Sequence, residues 1–279
     1  MIRRSLLVFA VLVLAYAAFI HFSKPELDTS QHQSSGNRIK AEQFVFGADA
    51  PDATVIVGSS LSFRIELDSL PPGTSNLGFG GLSVYDGLEL ITRANKKPAR
   101  VLIETNMIFK EPDRGFLDAV FQPGLYELRR SVPILREENQ PSGVLVGLLR
   151  DRAKKGRPVE EAPSDSMAMS TVLLETNRAS FAVLPADSTQ QRYLTTLERE
   201  VKALEARGVE VVFMEVPIAP EMMTSVLATR CRTLITERFP THRFLRTDPG
   251  LHWRTTDGLH LEEHNARRYS GWLARSLRP

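Results

Sequence analysis

The chain has 279 residues, of which 42% are hydrophobic and 24% are charged, and its formal net charge is +2. This composition is typical of a globular protein, and it excludes a disordered, collagen-like or repetitive chain. No run of basic residues is dense enough to follow a phosphate backbone, which argues against nucleic acid as a partner. The single cysteine, Cys231, cannot form an internal disulfide or a paired-cysteine metal or redox site.

Residues 1–22 combine a basic start with a long apolar run. Arg3 and Arg4 precede apolar residues that continue through positions 6–20. Basic residues before such a run keep the amino end in the cytoplasm and direct the rest of the chain across the membrane. The Ala-Tyr-Ala at 15–17 fits a signal-cleavage site, but the apolar residues continue past it, which favours a retained anchor.

After this segment, residues 23–52 are polar and are predicted to be a linker, and residues 53–279 are predicted to be the folded domain. Short apolar, β-branched runs predict buried strands at Thr54–Gly58, Val101–Thr105 and Val209–Val216. Two weaker candidates are Ser75–Gly78 and Arg243–Arg246. Helical spacing of apolar residues predicts helices over Ser83–Arg93, Ser188–Arg207, Pro220–Arg238 and Glu262–Leu277. Strands that alternate with helices indicate an α/β fold with a doubly wound, mostly parallel sheet.

Residues 110–185 interrupt this alternation after the third strand and are predicted to be a large insertion. Within it, the apolar run 143–149 is followed by a basic run, Arg150, Arg152, Lys154, Lys155 and Arg157. An apolar helix with a basic end packs inside its own domain, rests on lipid headgroups or docks on a membrane partner. The functional hypothesis is that the insertion shapes the acceptor cleft and faces the membrane or a partner.

Four polar features follow predicted strands, at the sheet edge where ligands bind in such folds. Ser59, Ser60 and Ser62 follow the first strand, and a glycine-rich segment at 76–81 follows the second. Asn106 ends the third strand, and its amide is able to donate a hydrogen bond to a developing oxyanion. Lastly, the segment 257–260 reads Asp-Gly-Leu-His, in which the Asp can orient the His toward a serine.

Together these blocks resemble the SGNH hydrolase family, also called GDSL esterases, over about residues 54–277. The matching segments are Gly58-Ser-Ser-Leu61, Asn76-Leu-Gly-Phe-Gly-Gly81, Glu104-Thr-Asn106 and Asp257-Gly-Leu-His260. The resemblance implies Ser60 as nucleophile, His260 as base and Asp257 as the residue that orients it. It also implies Gly81 and Asn106 as oxyanion-hole donors together with the backbone amide of Ser60.

The chain departs from the family pattern at Ser59, where the family usually has Asp. Ser59 and Ser62 therefore remain alternative nucleophiles, and Gly80 remains an alternative to Gly81.

Two further residues, His252 and Trp253, precede the last block and are predicted to line the substrate pocket, with a core position for Trp253 as the alternative. His264 lies near His260, but without further acidic or histidine partners a metal site is not expected.

The resemblance implies acyl transfer through a serine ester, with no cofactor and no metal. An anchored SGNH domain resembles enzymes that add or remove O-acetyl groups on bacterial surface polysaccharides. The expected substrate is therefore an acylated polysaccharide or another acyl ester, and the expected partner is a multi-spanning membrane O-acyltransferase. The expected location is the cell inner membrane with the domain in the periplasm, or a periplasmic or secreted protein after signal cleavage.

Two alternatives remain open. One is a lipase or thioesterase that acts on longer acyl chains. The other is an inactive SGNH-like module of a polysaccharide secretion complex.

Overall fold

The computed structural model describes residues 2–23, 27–48, 50, 52–154, 165–248 and 250–278. The chain forms two compact units. The first, which we call the helical unit, comprises Met1–Phe46 and Asp118–Glu161; the second, the sheet unit, comprises Gly47–Leu117 and Ala162–Pro279. Lys155 and Arg157 of the predicted basic run lie outside the described residues.

The sheet unit contains one open sheet whose strand pairings are all parallel. In chain order its strands are β1 Thr54–Gly58, β2 Ser75–Gly78, β3 Arg100–Glu104, β4 Glu210–Met214 and β5 Arg243–Leu245. All five positions of β1 are buried, as are the last four of β3 and of β4, which fits strands covered on both faces. The predicted α/β fold with a parallel sheet is confirmed.

The spatial order of the strands is β2-β1-β3-β4-β5, so the direction of winding reverses between β1 and β3. Val57 pairs with Ile103, and Gly58 pairs with Gly78, so the carboxyl ends of the three strands lie at one edge. Open α/β sheets bind ligands beyond these ends, where the winding reverses. The segments that follow β1, β2 and β3 therefore start at the edge where a site is expected.

Helices connect and flank these strands. The described helices are α1 Ile2–Ser23, α2 Gln33–Phe46, α3 Ser60–Phe63, α4 Val84–Arg93, α5 Arg114–Val120, α6 Leu125–Ser131, α7 Pro141–Lys154, α8 Asp165–Phe181, α9 Asp187–Glu205, α10 Pro220–Met223, α11 Val226–Arg238 and α12 Glu263–Ser276. The single helix predicted over Pro220–Arg238 is two helices, because Ser225 starts the second one: its hydroxyl accepts a hydrogen bond from the backbone N–H of Ala228.

The core of the sheet unit joins the central strands to the last helix. Ile56, Leu102 and Val212 are fully buried and share one apolar cluster with Tyr269 of α12 and Phe181 of α8. Burying each large apolar side chain contributes about 1.5–3 kcal/mol relative to leaving it exposed. This cluster therefore fixes α12, and the segment just before it, against the sheet.

The helical unit contains α1, which is long and apolar enough to cross a membrane by length and composition, and none of whose residues is buried. This finding fits a membrane anchor or a signal sequence equally well.

Residues 23–52 differ from the predicted linker, because they contain α2 with buried Ala41, Glu42 and Val45. The Glu42 carboxylate lies 3.2 Å from Arg38 and 3.5 Å from Arg129. The buried face of α2 includes a paired charge and is not a continuous apolar stripe. The pattern of apolar residues in the sequence therefore does not predict this helix.

Residues 110–185, predicted to form one large insertion, are divided between the two units. Its central part belongs to the helical unit, whereas α8 belongs to the sheet unit. Phe181 of α8 is buried in the sheet core, and Leu174 packs against the same core. Part of the predicted insertion is therefore a structural element of the sheet unit.

Candidate active site

The turn after β1 presents Ser60 at the carboxyl edge of the sheet. Ser59 is in an extended conformation and caps α3: its hydroxyl accepts a hydrogen bond from the backbone N–H of Leu61. Ser60 is the first residue of the short helix α3 and is half-buried.

The side chain of Ser60 meets His260, which is 200 positions later in the chain. Ser60 Oγ lies 2.8 Å from His260 Nε2, and His260 Nδ1 lies 2.7 Å from Asp257 Oδ2. The structure thus brings these three predicted residues into one hydrogen-bonded chain. With the proton on Nδ1 donated to the carboxylate, Nε2 is the acceptor for the serine hydroxyl.

Asp257 is held in place by the backbone of its own turn. Its Oδ1 accepts hydrogen bonds from the N–H groups of His260 at 2.8 Å and Leu259 at 3.1 Å. Burial acts to raise the pKa of Asp257, but these hydrogen bonds and the His260 ring outweigh it and hold the pKa below its usual value. The carboxylate is therefore charged and ready to orient the imidazole.

The turn itself depends on Gly258, whose φ of 84° is in the left-handed region. A Cβ built on Gly258 would lie 1.9 Å from Cε of Met222 and 2.7 Å from Cδ1 of Leu174. From α8, Asn177 Nδ2 donates to the carbonyl of Asp257 at 3.0 Å. The Asp–His turn is thus packed closely from two directions, one of them a helix inside the predicted insertion.

Sequence reasoning missed Glu104, the last residue of β3. Its buried carboxylate accepts hydrogen bonds from the backbone N–H groups of Ser59 at 2.9 Å and Ser62 at 3.1 Å. It also accepts from the hydroxyls of both serines. The signal in the sequence was an acidic residue at the end of an otherwise apolar buried strand, which burial makes costly unless it is fully hydrogen-bonded.

This arrangement separates the three serines of the turn. The hydroxyls of Ser59 and Ser62 are both donated to Glu104, whereas the hydroxyl of Ser60 lies against His260. Among these three described residues, the geometry therefore favours Ser60 as the nucleophile. The carboxylate at position 104 also lies against the position where the family usually has Asp, so a second acidic group at 59 would meet it directly.

Gly81 and Asn106 follow β2 and β3 at the same edge. Gly81 has a φ of 73°, is exposed, and its carbonyl accepts a hydrogen bond from Lys110 Nζ. Asn106 is buried, and its amide forms a two-way pair with the backbone of Val216 after β4, both bonds being 2.8 Å. That pair uses one N–H of the Asn106 amide and leaves the second N–H as a donor.

The two residues predicted to line the substrate pocket are not part of the Ser60–His260–Asp257 chain. Trp253 is buried in the core, edge-to-face with Tyr269 at 5.9 Å, and the Arg268 guanidinium lies 4.7 Å from its ring centroid. His252 is exposed, and its carbonyl accepts a hydrogen bond from Arg268. The structure thus favours the core position for Trp253, the alternative considered for it.

In the part of the chain that the structure describes, no three His, Cys, Asp or Glu side chains are grouped so as to hold a metal ion. His264 is exposed in the first turn of α12. Cys231 is buried, and this burial raises the pKa of its thiol to about 12. A thiol with such a pKa is not a reactive nucleophile at neutral pH.

No protein-family model matches this sequence, and no curated protein matches it. Membership of the SGNH family therefore stays a prediction that rests on the motifs and on the geometry of the site.

Proposed function

We propose that this protein is a serine-dependent acyl-ester hydrolase or transferase of the SGNH type. The observation that carries the proposal is the hydrogen-bonded chain from Ser60 through His260 to Asp257 at the carboxyl edge of a parallel sheet. A strand order of 2-1-3-4-5 is also that of flavodoxin-like doubly wound sheets, the architecture that the resemblance implies.

In the proposed reaction, His260 Nε2 takes the proton of Ser60 as Oγ attacks the ester carbonyl. Asp257 keeps the imidazole in the tautomer that accepts this proton and stabilises the charge that forms on it. The negative charge on the carbonyl oxygen would be met by backbone N–H groups of Ser60 and Gly81 and by the second amide N–H of Asn106. His260 then returns the proton to the leaving alcohol. In the second step His260 takes a proton from water or from another hydroxyl as its oxygen attacks the acyl group, and gives that proton to Ser60 Oγ as the bond from the acyl group to Oγ breaks.

The proposed substrate is an O-acetylated polysaccharide outside the cytoplasm. The substrate class comes from the resemblance to anchored SGNH enzymes. The apolar helix α1, with Arg3 and Arg4 at its start, supports the location, an anchor in the inner membrane with a periplasmic catalytic unit. In this setting a multi-spanning membrane O-acyltransferase is the expected partner. Sequencing the amino terminus of the mature protein distinguishes a retained anchor from a cleaved signal.

The lipase or thioesterase alternative is tested by acyl-chain preference. An O-acetyl enzyme should hydrolyse acetyl esters far faster than octanoyl esters. A clear preference for octanoyl esters would favour the lipase or thioesterase.

The inactive-module alternative is tested by covalent labelling. A fluorophosphonate, which forms a stable ester with activated serines, should label Ser60, and Ser60→Ala should lose both labelling and the hydrolysis of a short-chain activated ester. The expected loss of turnover is about 10⁴-fold, as for removal of a triad member. Exposed Ser188 of α9 provides the matched control, and Ser188→Ala should keep full activity. Labelling found on Ser59 or Ser62 would overturn the nucleophile assignment, and no labelling at all would support an inactive module.

A further inference from the structure

One face of α7 is packed against the chain that follows α1. Gly143 and Gly147 lie one helical turn apart and are both buried. A Cβ on Gly143 would lie 2.7 Å from the carbonyl oxygen of Thr29, and one on Gly147 would lie 3.0 Å from Cβ of Leu27. The segment 27–30 therefore crosses α7 at a separation that leaves no room for a side chain.

Side-chain hydrogen bonds fix this crossing. Arg150 donates to the carbonyl of Ser30 at 2.6 Å, and Gln31 Nε2 donates to the hydroxyl of Ser142 at 2.9 Å. α7 is thus attached at both ends to the first residues described after α1.

Another face of α7 exposes three leucines, Leu145, Leu148 and Leu149, which we call the leucine stripe. Their side chains are 59%, 43% and 61% exposed, and their spacing places them on one side of the helix. Arg152 continues the same stripe at the basic end of the helix and is exposed. Contiguous large apolar side chains on a surface are typical of a contact with another protein or with a membrane.

The position of α7 close to the end of α1 favours a membrane over other contacts. α1 ends at Ser23, and four residues of extended chain reach at most about 14 Å, so Leu27 is within that distance of the end of α1. Within the helical unit, Tyr16 of α1 also donates to the carbonyl of Asn139, two residues before α7, at 2.8 Å. Tyr16 lies about 10 Å inside the end of α1, at a rise of 1.5 Å per residue. The start of α7 is therefore level with the last two turns of α1.

We propose that the leucine stripe lies in the headgroup–acyl boundary of the membrane that α1 spans, so that α7 is a second membrane contact. The inference rests on the proposed retention of α1 as an anchor. Leucines at this depth contact lipid chains, and Arg152 beside them is placed to meet lipid phosphates. A single-pass anchor alone lets the rest of the chain rotate about its tether, whereas a second contact orients the helical unit on the bilayer.

The test places an environment-sensitive fluorophore on the stripe in the full-length protein. In a Cys231→Ala background, Leu148→Cys is labelled with a nitrobenzoxadiazole maleimide and reconstituted into vesicles of phosphatidylethanolamine and phosphatidylglycerol that carry a lipid spin-labelled near its headgroup. Exposed Thr236 of α11 is the matched control, as Thr236→Cys. We expect a blue shift and a loss of emission through quenching at position 148, and neither at position 236.

Short-ester hydrolysis by each labelled variant reports whether the catalytic unit is folded, and Leu145→Cys and Leu149→Cys repeat the measurement if Leu148→Cys misfolds. Equal emission from stripe and control in protein whose mass includes Ile2–Ser23 would overturn the membrane contact while leaving the acyl-ester proposal in place. A mature chain without α1 would also overturn the membrane contact, because the anchor on which the proposal rests would be absent. A stripe that is open to water-soluble maleimide in pure lipid, but protected in native membranes, would assign the surface to a protein partner instead.

Discussion

Asp257→Asn is expected to slow ester hydrolysis by about 30-fold to 10⁴-fold without unfolding the protein. The two oxygens of Asp257 have different partners: Oδ1 accepts from two backbone N–H groups, and Oδ2 faces His260 Nδ1. An asparagine that keeps its oxygen toward the backbone turns its NH₂ toward Nδ1. The imidazole proton must then move to Nε2, which faces Ser60. In this tautomer Nε2 can no longer accept the proton of the Ser60 hydroxyl.

The magnitude follows from the alternative orientation of the amide. Turning the oxygen of the new asparagine toward Nδ1 would restore the active tautomer, but it would set the NH₂ against the backbone N–H groups of Leu259 and His260. Losing two buried hydrogen bonds costs about 1–3 kcal/mol each. Because each 1.4 kcal/mol is about tenfold in population, the active form falls by the range given above.

The assay compares kcat for a short-chain activated ester between variants of matched thermal stability. Asp248→Asn is the control, because Asp248 also accepts a backbone hydrogen bond within a turn, from Gly250 at 2.8 Å, and is exposed. Asp248→Asn should leave kcat unchanged. Equal kcat values for the two variants would refute the role given to Asp257 in setting the tautomer.

Three further changes test other parts of the structure. Glu104→Gln should lower stability by about 1–3 kcal/mol, because an NH₂ group accepts no hydrogen bond and would replace one of the two oxygens that accept from Ser59 and Ser62. It should also lower kcat by loosening the turn that holds Ser60. Thermal unfolding and initial rates measure the two effects, and wild-type values for both would contradict the role given to the carboxylate. Gly258→Ala should lower the unfolding temperature and kcat together, since a left-handed φ costs about 1–2 kcal/mol and the methyl group clashes; unchanged values would contradict the packing of the turn. Lys40→Met should flatten the dependence of stability on pH between about pH 8 and 10.5, because burial lowers the pKa of Lys40 from 10.5 to about 8. The unfolded chain binds the Lys40 proton between these pH values and the folded chain does not, so wild-type stability should rise with pH in that window, and unfolding scans of Lys40→Met should lack this rise.

Much of the sheet could be predicted from local pattern. Thr54–Gly58 and Ser75–Gly78 are strands with the predicted bounds, and Val101–Thr105 is shifted by one residue. Strands buried on both faces leave continuous apolar runs, and these are visible without knowledge of the partner strands. The Asp–His turn was equally readable, because its residues are adjacent in sequence.

Features that depend on distant pairing could not be predicted in this way. Glu104 is recognisable as part of the candidate site once Ser59 and Ser62 are seen to donate to it, from more than 40 positions away. α2 buries Glu42 by pairing it with Arg129, so its polar sequence resembled a linker. The spacing of apolar residues predicts which face of a helix is buried, but it does not predict which charged residues form ion pairs.

The separation of 200 positions between Ser60 and His260 has a consequence for folding. Contacts this distant in sequence close large loops, and such contacts are slow to form. The proposed nucleophile, Ser60, follows the first strand of the sheet, whereas its proposed base, His260, lies in the segment after the last strand. A chain that has completed most of its sheet therefore still lacks a working base. Recovery of the proposed esterase activity during refolding should therefore lag behind formation of the sheet, so that this activity reports on the docking of the segment that carries His260.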